Sequence, residues 1–207
     1  MINLVILVSG RGSNMEAILQ KIKSGTIKNV NPSVVISNKS NARALEVAKE
    51  YNVNSVFIDD EGKKGASWEY DRKILDYLQK KNITPENGLI CLAGFMRIIS
   101  REFVQKYRWC ILNIHPALLP SFPGLNAQRQ ALEYGMKISG CTVHFVGEGV
   151  DTGPIIIQAP VEVKDDDTVD SLTVRILEQE HRIYPEAVRL FSEGKLSIDG
   201  RKVKIRS

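Results

Sequence analysis

The chain has 207 residues, 43% apolar and 25% charged, which suits one large domain or two small ones and excludes large-scale disorder. Its net charge of +4 equals the four basic residues of the tail, Arg201, Lys202, Lys204 and Arg206, so a solvated end, alternating like an edge strand at V-K-I, is expected rather than a nucleic-acid-binding face. Three cysteines, Cys91, Cys110 and Cys141, form no C-x-x-C pair and read as reduced and buried, and no His/Cys cluster has metal-ligand spacing.

The first run, L-V-I-L-V (4–8), is continuous and apolar, as in a parallel strand covered on both faces. No basic leader precedes it, and no segment reaches the roughly 18 apolar residues of a membrane span. A cytoplasmic protein with no membrane partner is expected. The glycine loop S-G-R-G-S-N (9–14) leads into a helix at 15–22. Strands at 33–37, 55–58, 89–95 and 111–115 alternate with helices at 42–51, 68–81 and 100–107.

After Pro116 the pattern changes. A loop stiffened by Pro120 and Pro123 precedes a short helix at 126–135. Strands at 138–146 and 154–163, joined by G-E-G-V-D-T-G (147–153), suggest an antiparallel pair. A final helix spans 169–191, with Asp167 or Thr168 as its cap. The order predicts an α/β fold: an open, mostly parallel twisted sheet with a Rossmann-like N-terminal half and a mixed C-terminal part. A single domain over 1–207 is expected, with its parallel half at 1–116 and the rest at 117–207.

In open α/β sheets ligands bind beyond the carboxyl ends of the strands. The loop 9–14 lies at such an end and opens a helix, whose free N–H groups suit a phosphate. Gly10 and Gly12 would let it approach, and Ser13 and Asn14 add donors. The loop lacks the third glycine of a dinucleotide fingerprint and the G-K-[ST] of a P-loop. A phosphate site and a plain helix-capping turn both remain open readings.

In L-N-I-H-P (112–116), Asn113 and His115 are two apart and face one way from a strand end. They read either as a structural polar pair or as a catalytic one. Asp151 lies in the glycine-rich turn, and spacing alone does not bring it to His115. If the two meet, the carboxylate orients the imidazole and raises its pKa above about 6.5. An imidazolium and a carboxamide are both donors for an oxyanion. No serine or cysteine stands out as a nucleophile, so the attacking group would come from a substrate.

Several motifs recur together: S-G-R-G-S-N, L-A-G-F-M-R (92–97), N-I-H-P-A-L-L-P-S-F-P-G (113–124), T-V-H-F-V with D-x-G-P (142–154), and E-Q-E-H-R-I-Y-P (178–185). In this order the chain resembles the phosphoribosylglycinamide formyltransferases over essentially its whole length. The resemblance implies transfer of a formyl group from 10-formyltetrahydrofolate, a co-substrate, to the amine of glycinamide ribonucleotide, with no metal. It implies that Gly12, Ser13 and Asn14 bind the phosphate region and that Glu180 contacts the glycinamide end. Asn113, His115 and Asp151 become the catalytic set, and His144 supports them. Met96, Arg97, Ile98 and Ile99 would border the folate, and Val150 would hold the pterin. The implied partners are these small molecules, with no nucleic acid, and the chain would be a monomer or homodimer.

The chain departs from the family at Ser67, where an arginine is usual, and Lys63 or Lys64 is the expected substitute for that folate contact. Methionyl-tRNA formyltransferase would need a further C-terminal domain, and formyltetrahydrofolate hydrolase a regulatory domain ahead of the first strand. A non-catalytic nucleotide-binding module is the rival from another class.

Overall fold

The structure, a computed structural model, describes residues 1–62 and 65–206. The chain divides into two compact units, Met1–Leu112 and Asn113–Ser207.

The first unit holds β1 (Ile2–Val8), α1 (Ser13–Lys23), β2 (Val30–Ser37), α2 (Arg43–Glu50), β3 (Ser55–Phe57), α3 (Trp68–Lys80), β4 (Gly88–Leu92) and α4 (Arg101–Lys106). Its strands run in the order β3-β2-β1-β4, and β1 pairs in parallel with β2 and β4, as β2 does with β3. Parallel neighbours need crossover connections, which the helices supply. Leu4 through Val8 are buried, so the apolar run is the core of this sheet. Burying each such valine, leucine or isoleucine contributes about 1.5–3 kcal/mol. β4 stops three residues before the expected end. Gly94 there takes a left-handed φ of 70°, which turns the chain out of the strand.

The second unit begins within β5 (Ile111–His115) and continues through α5 (Ala127–Glu133), β6 (Ile138–Phe145), β7 (Ile155–Glu162), α6 (Val169–Ser192), β8 (Leu196–Asp199) and β9 (Lys202–Ile205). The strand order here is β6-β7-β9-β8, with β6 and β7 antiparallel as expected. The tail is not the edge. β9 pairs in parallel with β7 and antiparallel with β8, which takes the outer position. The cue for β8 is Gly200-Arg201, a two-residue hairpin loop between the paired Asp199 and Lys202, with Gly200 at φ 61°.

Of the two candidate caps for α6, Thr168 is the one used. Its Oγ1 accepts from Ser171 N, and Ser171 Oγ accepts from Thr168 N, a reciprocal capping box. Asp167 instead pairs with Arg175. Thr142 on β6 fixes the start of the proline-rich loop: its Oγ1 donates to Ala117 O at 2.6 Å and accepts from Leu119 N at 3.1 Å. Among the described residues no helix is long and apolar enough to cross a membrane.

Candidate active site

In the first unit, the glycine loop runs from the end of β1 into α1. Gly12 is the N-cap of α1, at φ 82°. A Cβ there would stand 2.7 Å from the Ala44 Cβ on α2, so both conformation and packing demand glycine. A Cβ on Gly10 would meet nothing within 4 Å. Ser13 and Asn14 form the first turn, half-buried and buried respectively.

Met96 is 68% exposed and Ile98 48%, whereas Ile99 is buried. The Arg97 guanidinium is committed to protein partners. Its Nη1 donates to Asp60 Oδ2 at 3.0 Å, its Nη2 to Gly65 O at 3.1 Å, and it lies 4.6 Å from the Tyr70 ring centre. Ser67, where the family arginine is expected, is the N-cap of α3, with its Oγ accepting from Tyr70 N at 3.4 Å. Lys63 and Lys64 lie outside the described residues.

In the second unit, β5, β6 and the β6–β7 turn bring four polar side chains together. Asp151 Oδ2 stands 3.3 Å from His115 Nδ1, and Gly124 N donates to the same oxygen at 2.8 Å. Asn113 Nδ2 donates to Asp151 Oδ1 at 3.3 Å and lies 3.1 Å from His144 Nε2. His144 Nδ1 is 2.8 Å from the Phe145 carbonyl, so it carries a hydrogen. In the neutral ring Nε2 is then an acceptor, which requires the Asn113 amide nitrogen, not its oxygen, to face it. Both Asn113 N–H groups therefore have acceptors within reach.

Asp151 reaches this position at φ 52°, a left-handed conformation that costs a non-glycine residue about 1–3 kcal/mol. Gly153 keeps its turn against β6, because a Cβ there would collide with the Phe145 carbonyl oxygen at 1.7 Å. Val150, just before Asp151, is 48% exposed.

His115 is 4% exposed. Its Nε2 lies 2.8 Å from the Phe122 carbonyl, so both ring nitrogens face acceptors. That arrangement favours the imidazolium, but burial outweighs it. Desolvation pushes the His115 pKa below the ordinary histidine value, against the pull of Asp151 and of the Phe122 carbonyl. The expected upward shift is thus corrected: a carboxylate neighbour was weighed, and removal from water was not.

Burial also opposes ionisation of Asp151, but His144, the Gly124 N–H and His115 together hold its carboxyl below the usual range. His144 adds to this only when its Nε2 is protonated, and across 3.6 Å, longer than a hydrogen bond, so the Gly124 N–H is the firmer contact. Sequence reasoning missed the Phe122 carbonyl and Gly124 N–H. Their only signal was S-F-P-G, whose proline and glycine mark a tight loop.

Glu180 lies buried on α6, and its charge helps burial raise the pKa of Cys141 on β6 to about 12. Among the described residues no group of three or more His, Cys, Asp or Glu could hold a metal ion.

A formyl transferase family model matches residues 2–188. The phosphoribosylglycinamide formyltransferase of Escherichia coli is 41% identical over 202 residues, covering 95% of this chain and 90% of that one. The trifunctional purine biosynthetic protein adenosine-3 of Gallus gallus is 42% identical over 197 residues, and the chain spans only 19% of its length. The crystal structure of glycinamide ribonucleotide transformylase 1 from Symbiobacterium toebii matches with a TM-score of 0.93 at 48% identity, covering 100% of this chain and 95% of that one.

Proposed function

The chain belongs to the formyl transferase family, and from that premise we propose that it transfers the formyl group of 10-formyltetrahydrofolate to the amine of N1-(5-phosphoribosyl)glycinamide, a step of purine biosynthesis in the cytoplasm. The observation that carries this reading is the convergence of Asn113, His115 and His144 on Asp151. The neutral amine attacks the formyl carbon, and the carbonyl pair moves to oxygen. The attacking nitrogen loses a proton, folate N10 gains one, and the carbon–N10 bond breaks. The products are the N2-formyl ribonucleotide and tetrahydrofolate. No step needs a metal.

Burial keeps the proton affinity of His115 low until negative charge develops beside it. His115 then takes up the proton that the attacking nitrogen loses, favoured by the oxyanion and Asp151; its Nε2–H turns from the Phe122 carbonyl to the oxyanion, and one proton passes on to folate N10. Asn113 adds a second donor by turning the N–H of its longer bond, the one to Asp151, onto the oxyanion. Gly12, Ser13 and Asn14 take the phosphate region, and Glu180 the glycinamide end. Met96, Ile98 and Ile99 border the folate with the Arg97 backbone, and Val150 holds the pterin through its backbone. Much of the acceleration comes from holding two substrates in contact.

The test is direct. Protein is mixed with 10-formyltetrahydrofolate and the ribonucleotide, and tetrahydrofolate release is followed by absorbance. Release that depends on the ribonucleotide is expected. Equal release without it makes the protein a hydrolase, and nucleotide binding with no release makes it a non-catalytic module.

A further inference from the structure

Within the first unit, four segments meet through one chain of hydrogen bonds that runs in a single direction. Met96 N donates to Ser9 Oγ at 2.8 Å, Ser9 Oγ donates to Asn38 Oδ1 at 2.6 Å, and Asn38 Nδ2 donates to Asp60 Oδ2 at 2.7 Å. Each link accepts from the one before, so the Asp60 charge orients the whole chain. Asn38 and Asp60 are buried. The same Asp60 oxygen accepts from Arg97, and the other accepts from Gly62 N at 3.1 Å. The Asn38 hydrogen bond first, with Gly62 and Arg97, holds the Asp60 carboxyl below its ordinary range against the cost of burial.

The two ends of this chain matter for function. Ser9 is the first residue of the glycine loop, and its own N–H donates to Gly94 O at 3.1 Å. Met96 begins the segment 96–99. A second carboxylate holds the far end of that segment: Asp71 Oδ2 on α3 accepts from Ser100 N at 2.6 Å.

We propose that Asp60 is a positioning residue for the reaction: it holds the 96–99 segment directly through Arg97 and, through Asn38 and Ser9, fixes that segment to the start of the glycine loop. This rests on the functional reading above, in which the two stretches serve the two substrates. Asp60 touches neither substrate and acts only through the residues it holds. Its replacement by asparagine is informative because both carboxylate oxygens accept. An amide at 60 loses the charge that orients the chain, and its NH2 faces either the Gly62 N–H, which weakens the anchor, or the Asn38 and Arg97 donors, which breaks it.

The experiment compares D60N, S9A and the double variant in two measurements. In steady-state kinetics, D60N is expected to raise both KM values by about tenfold, with kcat within about threefold of the parent. S9A, which keeps the Asp60–Arg97 pair, is expected to raise both by about threefold, and the double variant to be no worse than D60N, since the two act in one chain. In amide hydrogen exchange, the Met96 N–H is expected to exchange about tenfold faster in either variant, with Ile6 N–H in β1 unchanged. Unchanged KM values, additive effects in the double variant, or equal acceleration at Ile6 and Met96 would each overturn the proposal. Should D60N fail to fold, S9A carries the same tests. A parent protein without formyl transfer overturns the functional reading instead, and the exchange data then decide the clamp alone.

Discussion

Two aspartates, one in each unit, sit in similar surroundings and differ in their partners. Asp60 is 5% exposed and Asp151 has an 11% exposed side chain, and each is ringed by donors. Around Asp60 these are a guanidinium, a carboxamide and a backbone N–H, none of which titrates near neutrality. Around Asp151 two of the neighbours are imidazoles. The first carboxylate is an anchor whose charge is constant, and the second is coupled to groups that can change theirs. Backbone geometry follows the same division. Asp151 takes a left-handed φ, whereas Asp60 is not among the residues with positive φ. Strain of this kind gathers where a side chain must be aimed.

The sharpest way to break this contrast is to remove the coupled charge. D151N and H115A should each lower turnover on the order of a thousandfold, because the imidazolium loses its partner or the ring itself. A fall of less than about tenfold in correctly folded protein would return His115 to a structural role. N113A should cost on the order of a hundredfold, as for other oxyanion donors, and mainly in kcat. H144F, which removes the acceptor that orients Asn113, should cost about tenfold. A larger loss than in N113A would show that His144 does more than orient it.

The histidine beside Asp151 should also set the two sites apart in a pH titration of stability. The folded pKa of His115 lies below the unfolded value, so as pH falls below about 6.5 the unfolded chain takes up the proton first and stability drops. Asp60 and Asp151 are likewise depressed. Their stabilisation is complete above about pH 3.9 and is lost as pH falls toward their folded values. Urea unfolding between pH 7.5 and 5 should therefore flatten in H115Q and keep its slope in D60N. The smallest effect concerns Ser67. S67A should cost about 1 kcal/mol as a lost N-cap, lowering Tm by about 2–4 °C, with turnover unchanged.

The sequence makes the candidate cluster around Asp151 partly legible because strand alternation has a fixed period. Asn113 and His115 face one way whatever else the fold does, and the glycines around Asp151 mark a turn able to bring it close. The antiparallel β6–β7 pair follows from its short connection for the same local reason. What escaped depends on through-space summation. The His115 shift is decided by how much water the fold removes, which no neighbour in the chain reports. The Asp60 chain joins Ser9, Asn38, Asp60 and Met96, four loop positions with no shared spacing. β8 was hidden for another reason: three half-buried residues and one exposed carry too little pattern, although Gly200 announced a turn.

The unequal crowding of Gly10 and Gly12 bears on how a mutational scan of the glycine loop should be interpreted. Any side chain at 12 meets Ala44 and a left-handed backbone, so variants there fail for reasons of packing before a ligand is involved. Intolerance at Gly12 is therefore silent about phosphate. Gly10 has open space around its Cβ position, so a G10A variant that folds normally yet loses affinity for the ribonucleotide reports on the ligand itself. The uninformative glycine and the informative one are two residues apart, and averaging a scan across the loop would erase the distinction.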